Sequence, residues 1–424
     1  MPRFNTLKEW LNWQESLHPL AIDLGLERVA RVFDALAPDY RKPVTITVAG
    51  TNGKGSCVAY LETIYRTQGY KVGAYTSPHI LRYNERIKID GNPAADELIC
   101  EAFARIETVR QNISLSYFEF STLAALDIFS RSAVDVQILE VGMGGRLDAV
   151  NIVDPDVALI SSIGIDHVDW LGQTREAIGA EKAGIFRAAT PAIVGDPEPP
   201  VSLIQCAQDK HARLFCIGKE FGYQKTTNSW NWRFGNQRLE NLPPPALKGE
   251  HQYRNASSAI LAVKQLSATL PVDIEAIRQG LENVKLAGRF QLIDGKIPLL
   301  LDVGHNPEAV KTLVAYLREH CQQKRVRALF SMMKDKDIKS VLELMSPLVY
   351  DWFFAPLTNP RAANEAQMRA VFEQCGIATA HFGFQNFNEA FAAAKNQLQE
   401  GDLLLVFGSF FLVSDCLSAL DKGK

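Results

Sequence analysis

The sequence predicts an α/β protein: a mostly parallel sheet covered by helices, followed by a smaller second α/β domain. Three observations carry this. Apolar, β-branched runs alternate with helix-length stretches from about residue 44 onward, the order expected of βαβ units. The first such run ends in a glycine-rich turn that opens a helix. A second alternating block begins at residue 299, beyond a segment of different character. At 424 residues, 47% hydrophobic and 22% charged, the chain is long enough for two separate cores.

Val44–Ala49 (VTITVA) is apolar and β-branched, as a strand buried on both faces should be. A turn at residues 50–55 follows, then a helical stretch to about Gln68. Val72–Tyr75, residues 135–141 and residues 157–163 read as further strands, and Pro191–Val194 as a shorter one. Residues 222–245 are polar, carry Trp230 and Trp232 in alternation, and end in Pro243-Pro244-Pro245. They read as a small β excursion and a rigid connection. Residues 250–285 return to helical spacing. Residues 299–303, 326–330, 351–355 and 403–407 form the second strand set, with helices between. A linker is expected at residues 285–297, around Gly288 and Gly295, dividing the chain into domains 1–285 and 286–424.

Several classes are excluded early. The net charge of -3 lacks the basic footprint of a nucleic-acid binder. The seven cysteines, at 57, 100, 206, 216, 321, 375 and 416, form no CxxC pair, which argues against a disulfide framework and a structural zinc site. The stretch leading to Trp10 and Trp13 has no apolar signal-peptide core. No run of about 18 apolar residues suggests a membrane span. A cytoplasmic, reducing location is expected.

The first strand runs straight into Gly50-Thr51-Asn52-Gly53-Lys54-Gly55-Ser56. A strand, a glycine-rich turn and a helix N-terminus make an anion site, because backbone N–H groups and the helix dipole both favour phosphate. Lys54 can reach the β/γ-phosphates and Ser56 can ligate Mg²⁺. The standard GxxxxGK[ST] pattern would need glycine where Val48 stands and a hydroxyl where Gly55 stands. Here the hydroxyl comes one place late. The bland alternative is a glycine turn beside an exposed lysine.

That variant loop resembles the ATP loop of the Mur-ligase superfamily, in the form typical of folylpolyglutamate synthases. More residues carry the resemblance: Tyr75-Thr76-Ser77-Pro78-His79, Glu140 before Val141-Gly142-Met143-Gly144-Gly145-Arg146-Leu147-Asp148, His167 within Ile165-Asp166-His167-Val168-Asp169-Trp170, and Lys182 before Ala183-Gly184-Ile185-Phe186. Alone, Glu140 could be a capping or ion-pair carboxylate, His167 a core histidine and Lys182 a surface lysine. Hard oxygens suit Mg²⁺, so Ser56, Ser77 and Glu140 would make one site. The resemblance implies a second Mg²⁺ among Glu140, His167 and Lys182, the lysine carbamylated by CO₂. That chemistry needs a neutral amine, hence a depressed pKa. Lys54, Glu140, His167 and Lys182 are the candidate catalytic group.

The resemblance runs from residue 22 to residue 410 and extends to the bifunctional dihydrofolate synthase/folylpolyglutamate synthase family. It implies a P-loop NTPase-like domain followed by a Rossmann-like one, the Mur-ligase arrangement, in a monomer. Asp23, Leu24, Gly25 and Leu26, then Ser116, Tyr117, Phe118 and Glu119, then Leu147, Asp148 and Ala149 resemble the pteroate pocket. For Tyr117 and Phe118 core packing is the plain alternative. Thr51, Asn52, Gly53, Lys54, Gly55, Ser56 and Asn255 would contact ATP from the first domain. Arg289, in Gly288-Arg289-Phe290-Gln291, and Asp302, in Asp302-Val303-Gly304-His305-Asn306-Pro307, match the family's adenine-nucleotide clamp. The family usually has alanine where Gly304 stands. Arg289 would pair with phosphate and Asp302 with ribose hydroxyls. The implied reaction couples L-glutamate to dihydropteroate or a reduced folate through an acyl phosphate. A ligase of UDP-linked peptides would share the loop and metal residues, but only residues 1–43 precede the first strand, too few for a UDP-binding domain. A nucleotide switch would need neither the Glu140, His167 and Lys182 set nor a second domain.

Overall fold

The structure, a computed structural model, describes residues 3–20 and 22–421. It divides into two compact units. The first holds the chain up to Ala246 together with Tyr253–Val284, and the second Leu247–Gln252 together with the chain from Lys285.

The first unit contains an eight-stranded sheet. Its strands are β1 (Val44–Ala49), β2 (Val72–Tyr75), β3 (Ile87–Ile89), β4 (Asn92–Pro93), β5 (Val136–Glu140), β6 (Val157–Ile160), β7 (Pro191–Val194) and β8 (Arg213–Cys216), in the spatial order β4-β3-β2-β5-β1-β6-β7-β8. From β2 to β8 every pairing is parallel; β3 and β4 add antiparallel edges. The helices are α1 (Leu7–Leu17), α2 (Glu27–Leu36), α3 (Lys54–Gln68), α4 (Asp96–Arg110), α5 (Tyr117–Arg131), α6 (Val168–Leu171), α7 (Arg175–Lys182), α8 (Val201–Asp209), α9 (His251–Gln265) and α10 (Ile274–Asn283).

Two differences from the sequence reading have clear causes. β6 stops at Ile160, short of residue 163, where its partner β1 ends at Ala49; beyond it the Ser161 and Ser162 hydroxyls donate to the Asn52 carbonyl (2.7 and 2.9 Å). The stretch around Trp10 is a helix, α1, whose start is closed by the reciprocal Thr6–Glu9 capping box. Trp10 is fully buried with Phe103 and Phe120 in one apolar cluster, so a mixed-polarity segment proves to be an amphipathic one.

The β excursion is a three-stranded antiparallel sheet, β9 (Phe221–Lys225), β10 (Trp230–Phe234) and β11 (Gln237–Leu242). Trp230 and Trp232 are both buried, and their indole N–H groups donate to the Pro243 and Ser257 carbonyls (2.7 and 3.1 Å).

In the second unit, β12 (Gln291–Ile293), β13 (Leu299–Asp302), β14 (Arg325–Phe330), β15 (Val349–Phe354), β16 (Ala380–His381) and β17 (Asp402–Phe407) order as β12-β13-β17-β14-β15-β16. Only β12, at one edge, runs antiparallel. Part of the segment expected as linker is therefore an edge strand. Leu300, Phe330, Trp352 and Phe407 lie in this unit's core, and α11 (Pro307–His320) follows β13. No helix among the described residues is long and apolar enough to cross a membrane.

Candidate active site

Strand register brings the first group together. Val48 of β1 lies beside Glu140 of β5, and Ala49 beside Ile160 of β6. The chain must then turn sharply into α3. Gly50 takes φ 146°, and a Cβ there would stand 2.0 Å from the Ser161 hydroxyl oxygen. Gly53 caps α3 at φ 89°, in the region that favours glycine. The Thr51 N–H donates to the Ser162 carbonyl (2.7 Å), so the loop is stitched to the chain leaving β6. Gly53 brings no side chain of its own to the first turn of α3, the construction of a helix N-terminus that binds anions through backbone N–H groups.

Two ammonium groups converge on one carbonyl. Lys54 Nζ donates to the carbonyls of Gly50 (2.9 Å) and Thr51 (3.2 Å), and Lys182 Nζ donates to that of Gly50 (3.0 Å). Lys182 is the buried last residue of α7. Glycines allow its approach: a Cβ on Gly184 would stand 2.3 Å from Arg146 Cα, and one on Gly145 would stand 2.8 Å from the Lys182 carbonyl oxygen. Burial, and then the Lys54 charge, push the Lys182 amine down to about 7 against the pull of Asp166 and Asp148.

Glu140 is buried at the end of β5, where its Oε2 accepts the Ser77 N–H (3.1 Å). Ser56 is buried in the first turn of α3. His167 takes φ 53° as the N-cap of α6 and lines the same cavity as Ser77. Among the described residues, no three His, Cys, Asp or Glu side chains gather as a metal cage. The candidate donors are two hydroxyls, one carboxylate, one imidazole and a lysine. The oxygen donors suit a hard cation.

The cavity has a volume of about 280 Å³. Asp23, Leu24, Gly25, Ser116, Tyr117, Phe118, Glu119, Leu147, Asp148 and Ala149 all line it, whereas Leu26 does not. Leu26 is the residue that leads into α2. Ser116 and Glu119 form a reciprocal capping box at the start of α5. Phe118 packs over the backbone of Gly142, where a Cβ would come within 2.6 Å of its ring. Tyr117 and Phe118 thus serve both the cavity wall and the adjoining apolar cluster. Asp148 is buried; its carboxylate accepts N–H groups from Met143 (2.9 Å) and Val150 (3.0 Å). Burial raises it to about 6 in spite of those bonds and of Lys182.

Sequence reasoning missed Arg86. It is largely buried, lines the cavity, and lies over the rings of Tyr83 and Tyr117 at 5.7 and 5.5 Å. Its Nε donates to His79 Nδ1 (2.8 Å), and burial together with this cation pushes His79 down to about 4. An arginine set directly before the alternating strand Ile87-Lys88-Ile89 was the available signal.

Asn255 lies on α9 beside the loop: a Cβ on Gly53 would stand 2.8 Å from its Oδ1. In the second unit, Asp302 ends β13. Its oxygens accept the N–H groups of Gly304 (2.8 Å) and Phe290 (3.2 Å). Burial raises Asp302, and the Arg289 charge opposes that rise. Asp302 therefore braces its own turn, and any hydroxyl would bond to remaining lone pairs. The Arg289 guanidinium stacks on the Phe410 ring at 4.9 Å.

Residues 48–263 match the family described as the Mur ligase middle domain, and residues 288–410 the Mur ligase glutamate ligase domain. A dihydrofolate synthase/folylpolyglutamate synthase of Escherichia coli (strain K12) is 43% identical over 99% of this chain and 96% of its own length. A solved structure of E. coli FolC in complex with DHPP and ADP superposes with a TM-score of 0.93 at 42% identity, covering 99% of this chain and 98% of that one. A bifunctional folylpolyglutamate synthase/dihydrofolate synthase with Mn, AMPPNP and L-glutamate bound gives a TM-score of 0.90 at 42% identity, over 98% of both chains. The chain belongs to the dihydrofolate synthase/folylpolyglutamate synthase family of Mur ligases.

Proposed function

We propose that this chain is an ADP-forming amide ligase that joins L-glutamate to dihydropteroate and to reduced folates, in folate biosynthesis and one-carbon metabolism. The observation that carries it lies within the first unit: a glycine-built phosphate corner with two lysines on the Gly50 carbonyl, together with a cavity lined by Tyr117, Phe118, Asp148 and Ser77. Relatives bound to DHPP with ADP, and to AMPPNP, Mn and L-glutamate, support the substrate set.

The carboxylate of the pterin substrate attacks the γ-phosphorus of ATP. The bond to the β,γ-bridging oxygen breaks, leaving ADP and an acyl phosphate. Lys54 and the loop N–H groups offset the charge on the transferring group. The glutamate amine then attacks the acyl carbon, phosphate departs, and the nitrogen loses its proton. Ser56, Ser77 and Glu140 would hold one divalent cation and Glu140, His167 and a carboxylated Lys182 a second, supplying positive charge to the phosphoryl group. Lys182 suits that modification, because an amine near 7 has a large neutral fraction at neutral pH. The neutral nitrogen bonds the carbon of CO₂, one proton leaves, and the side chain becomes an anionic oxygen donor. This gives the donor set its second carboxylate. Arg289 and Asp302 are the second unit's nucleotide residues. Free thiols at all seven cysteines suit a cytoplasmic setting, and the family resemblance supports a monomer.

Incubating the protein with ATP, Mg²⁺ and labelled L-glutamate, with either dihydropteroate or tetrahydrofolate, tests the reading. Label in an amide product from both acceptors is expected. Failure of both would overturn it, and product from one acceptor alone would remove the second activity.

A further inference from the structure

We propose that Arg28 is a positioning residue for the pterin-bearing substrate, tying the irregular segment at residues 22–25 to the start of α5. The proposal rests on the ligase reading above. This segment forms neither strand nor helix, yet Asp23, Leu24 and Gly25 make up part of the cavity wall. Side chains have to hold such a wall, because no ladder of backbone hydrogen bonds does.

Arg28 supplies the tie. Its Nη1 pairs with Asp23 Oδ2, and its Nη2 donates to the Asp23 carbonyl (3.2 Å) and to Glu119 Oε1 (3.0 Å). The other Glu119 oxygen accepts the Ser116 N–H (2.7 Å), so this buried carboxylate is fixed from two sides in the first turn of α5. His18 adds a second anchor. Its Nε2 is 3.1 Å from Asp23 Oδ2 and its Nδ1 is 3.0 Å from Ser114 Oγ. Neither Arg28 nor His18 lines the cavity; both act through residues that do. Arg28 Nε is buried without a hydrogen-bond partner among the described residues. The guanidinium is thus turned so that its two terminal nitrogens serve two carboxylates while Nε goes unserved, a costly orientation unless the bridge compensates. Without Arg28, Glu119 would lose its cation, and the substrate itself would have to order the wall on binding.

Steady-state kinetics of Arg28→Ala, Arg28→Lys, Asp23→Asn and the Arg28→Ala/Asp23→Asn pair test this. Arg28→Ala should raise KM for dihydropteroate and tetrahydrofolate about tenfold, leaving kcat and KM for ATP and glutamate within about twofold. Arg28→Lys, which keeps the charge but reaches one carboxylate, should fall between. The double variant should be little worse than the worse single one, as expected of residues in one network. An equal rise in KM for ATP, a fall in kcat with KM for the pterin substrate unchanged, or additive effects in the pair would overturn the proposal. If Arg28→Ala does not fold, the KM split of Arg28→Lys decides. Absence of ligation by the wild-type protein would instead defeat the ligase reading.

Discussion

In the first unit β1 runs into Gly50 and α3 starts after Gly53; in the second β13 ends at Asp302 and α11 starts after Asn306. Both are strand–turn–helix corners on parallel strands, the places where open α/β sheets bind ligands. They are finished differently. The first turn of α11 is closed from within: Asn306 Oδ1 accepts the Ala309 N–H (2.9 Å) and Pro307 occupies the first helical position. Asp302 fills the adjoining turn with a carboxylate bonded to two backbone N–H groups. At α3 the cap is a glycine with no side-chain bond, and two ammonium groups meet on the Gly50 carbonyl. Topology supplies a corner; the residues in the helix's first turn decide whether it is open to phosphate.

The largest effect should come from stripping the open corner of its cation or the cavity of its imidazole. Lys54→Ala and His167→Ala should each lower ligation on the order of a thousandfold, with circular dichroism unchanged. Wild-type turnover in Lys54→Ala would reduce the corner to an ordinary turn, and in His167→Ala would remove the imidazole from the metal donors. Gly50→Ala should come next. Its Cβ would collide with the Ser161 hydroxyl, and its φ of 146° suits glycine, so calorimetry should show loss of ADP binding and a stability cost of about 1–3 kcal/mol.

Lys182 sharpens the contrast through pH. Its neutral fraction grows as pH rises through about 7, so the carbamate should increase from pH 6 to pH 8 in ¹³C-bicarbonate and disappear on acidification. NMR, or an adduct of about 44 Da, reads this out; an unmodified amine throughout would remove the second carboxylate from the donor set. The smallest effect belongs to the closed corner. Asn306→Ala should cost about 1 kcal/mol, seen as a lower denaturation midpoint for the second unit.

The open corner was legible because its signals are local. A β-branched run followed by three glycines and a lysine within seven residues dictates a turn whatever surrounds it. The α/β alternation was legible for the same reason. Arg86 was not, because its meaning depends on Tyr83, Tyr117 and His79 closing around it. Leu26 was read into the pocket with Asp23, Leu24 and Gly25 on the family resemblance; it caps α2 and, unlike those three, does not line the cavity. Asp302 was read as a ligand group, and only the folded turn reveals that it also braces the backbone. Burial, which depresses the Lys182 pKa, is likewise a property of packed α7 rather than of its sequence.

The ligase reading turns on activation of a carboxylate at this corner. Dihydropteroate labelled with ¹⁸O in its carboxylate tests it most directly, in a single incubation with ATP, Mg²⁺ and L-glutamate. One labelled oxygen should leave in the inorganic phosphate as the amide forms. Amide product with unlabelled phosphate would contradict it.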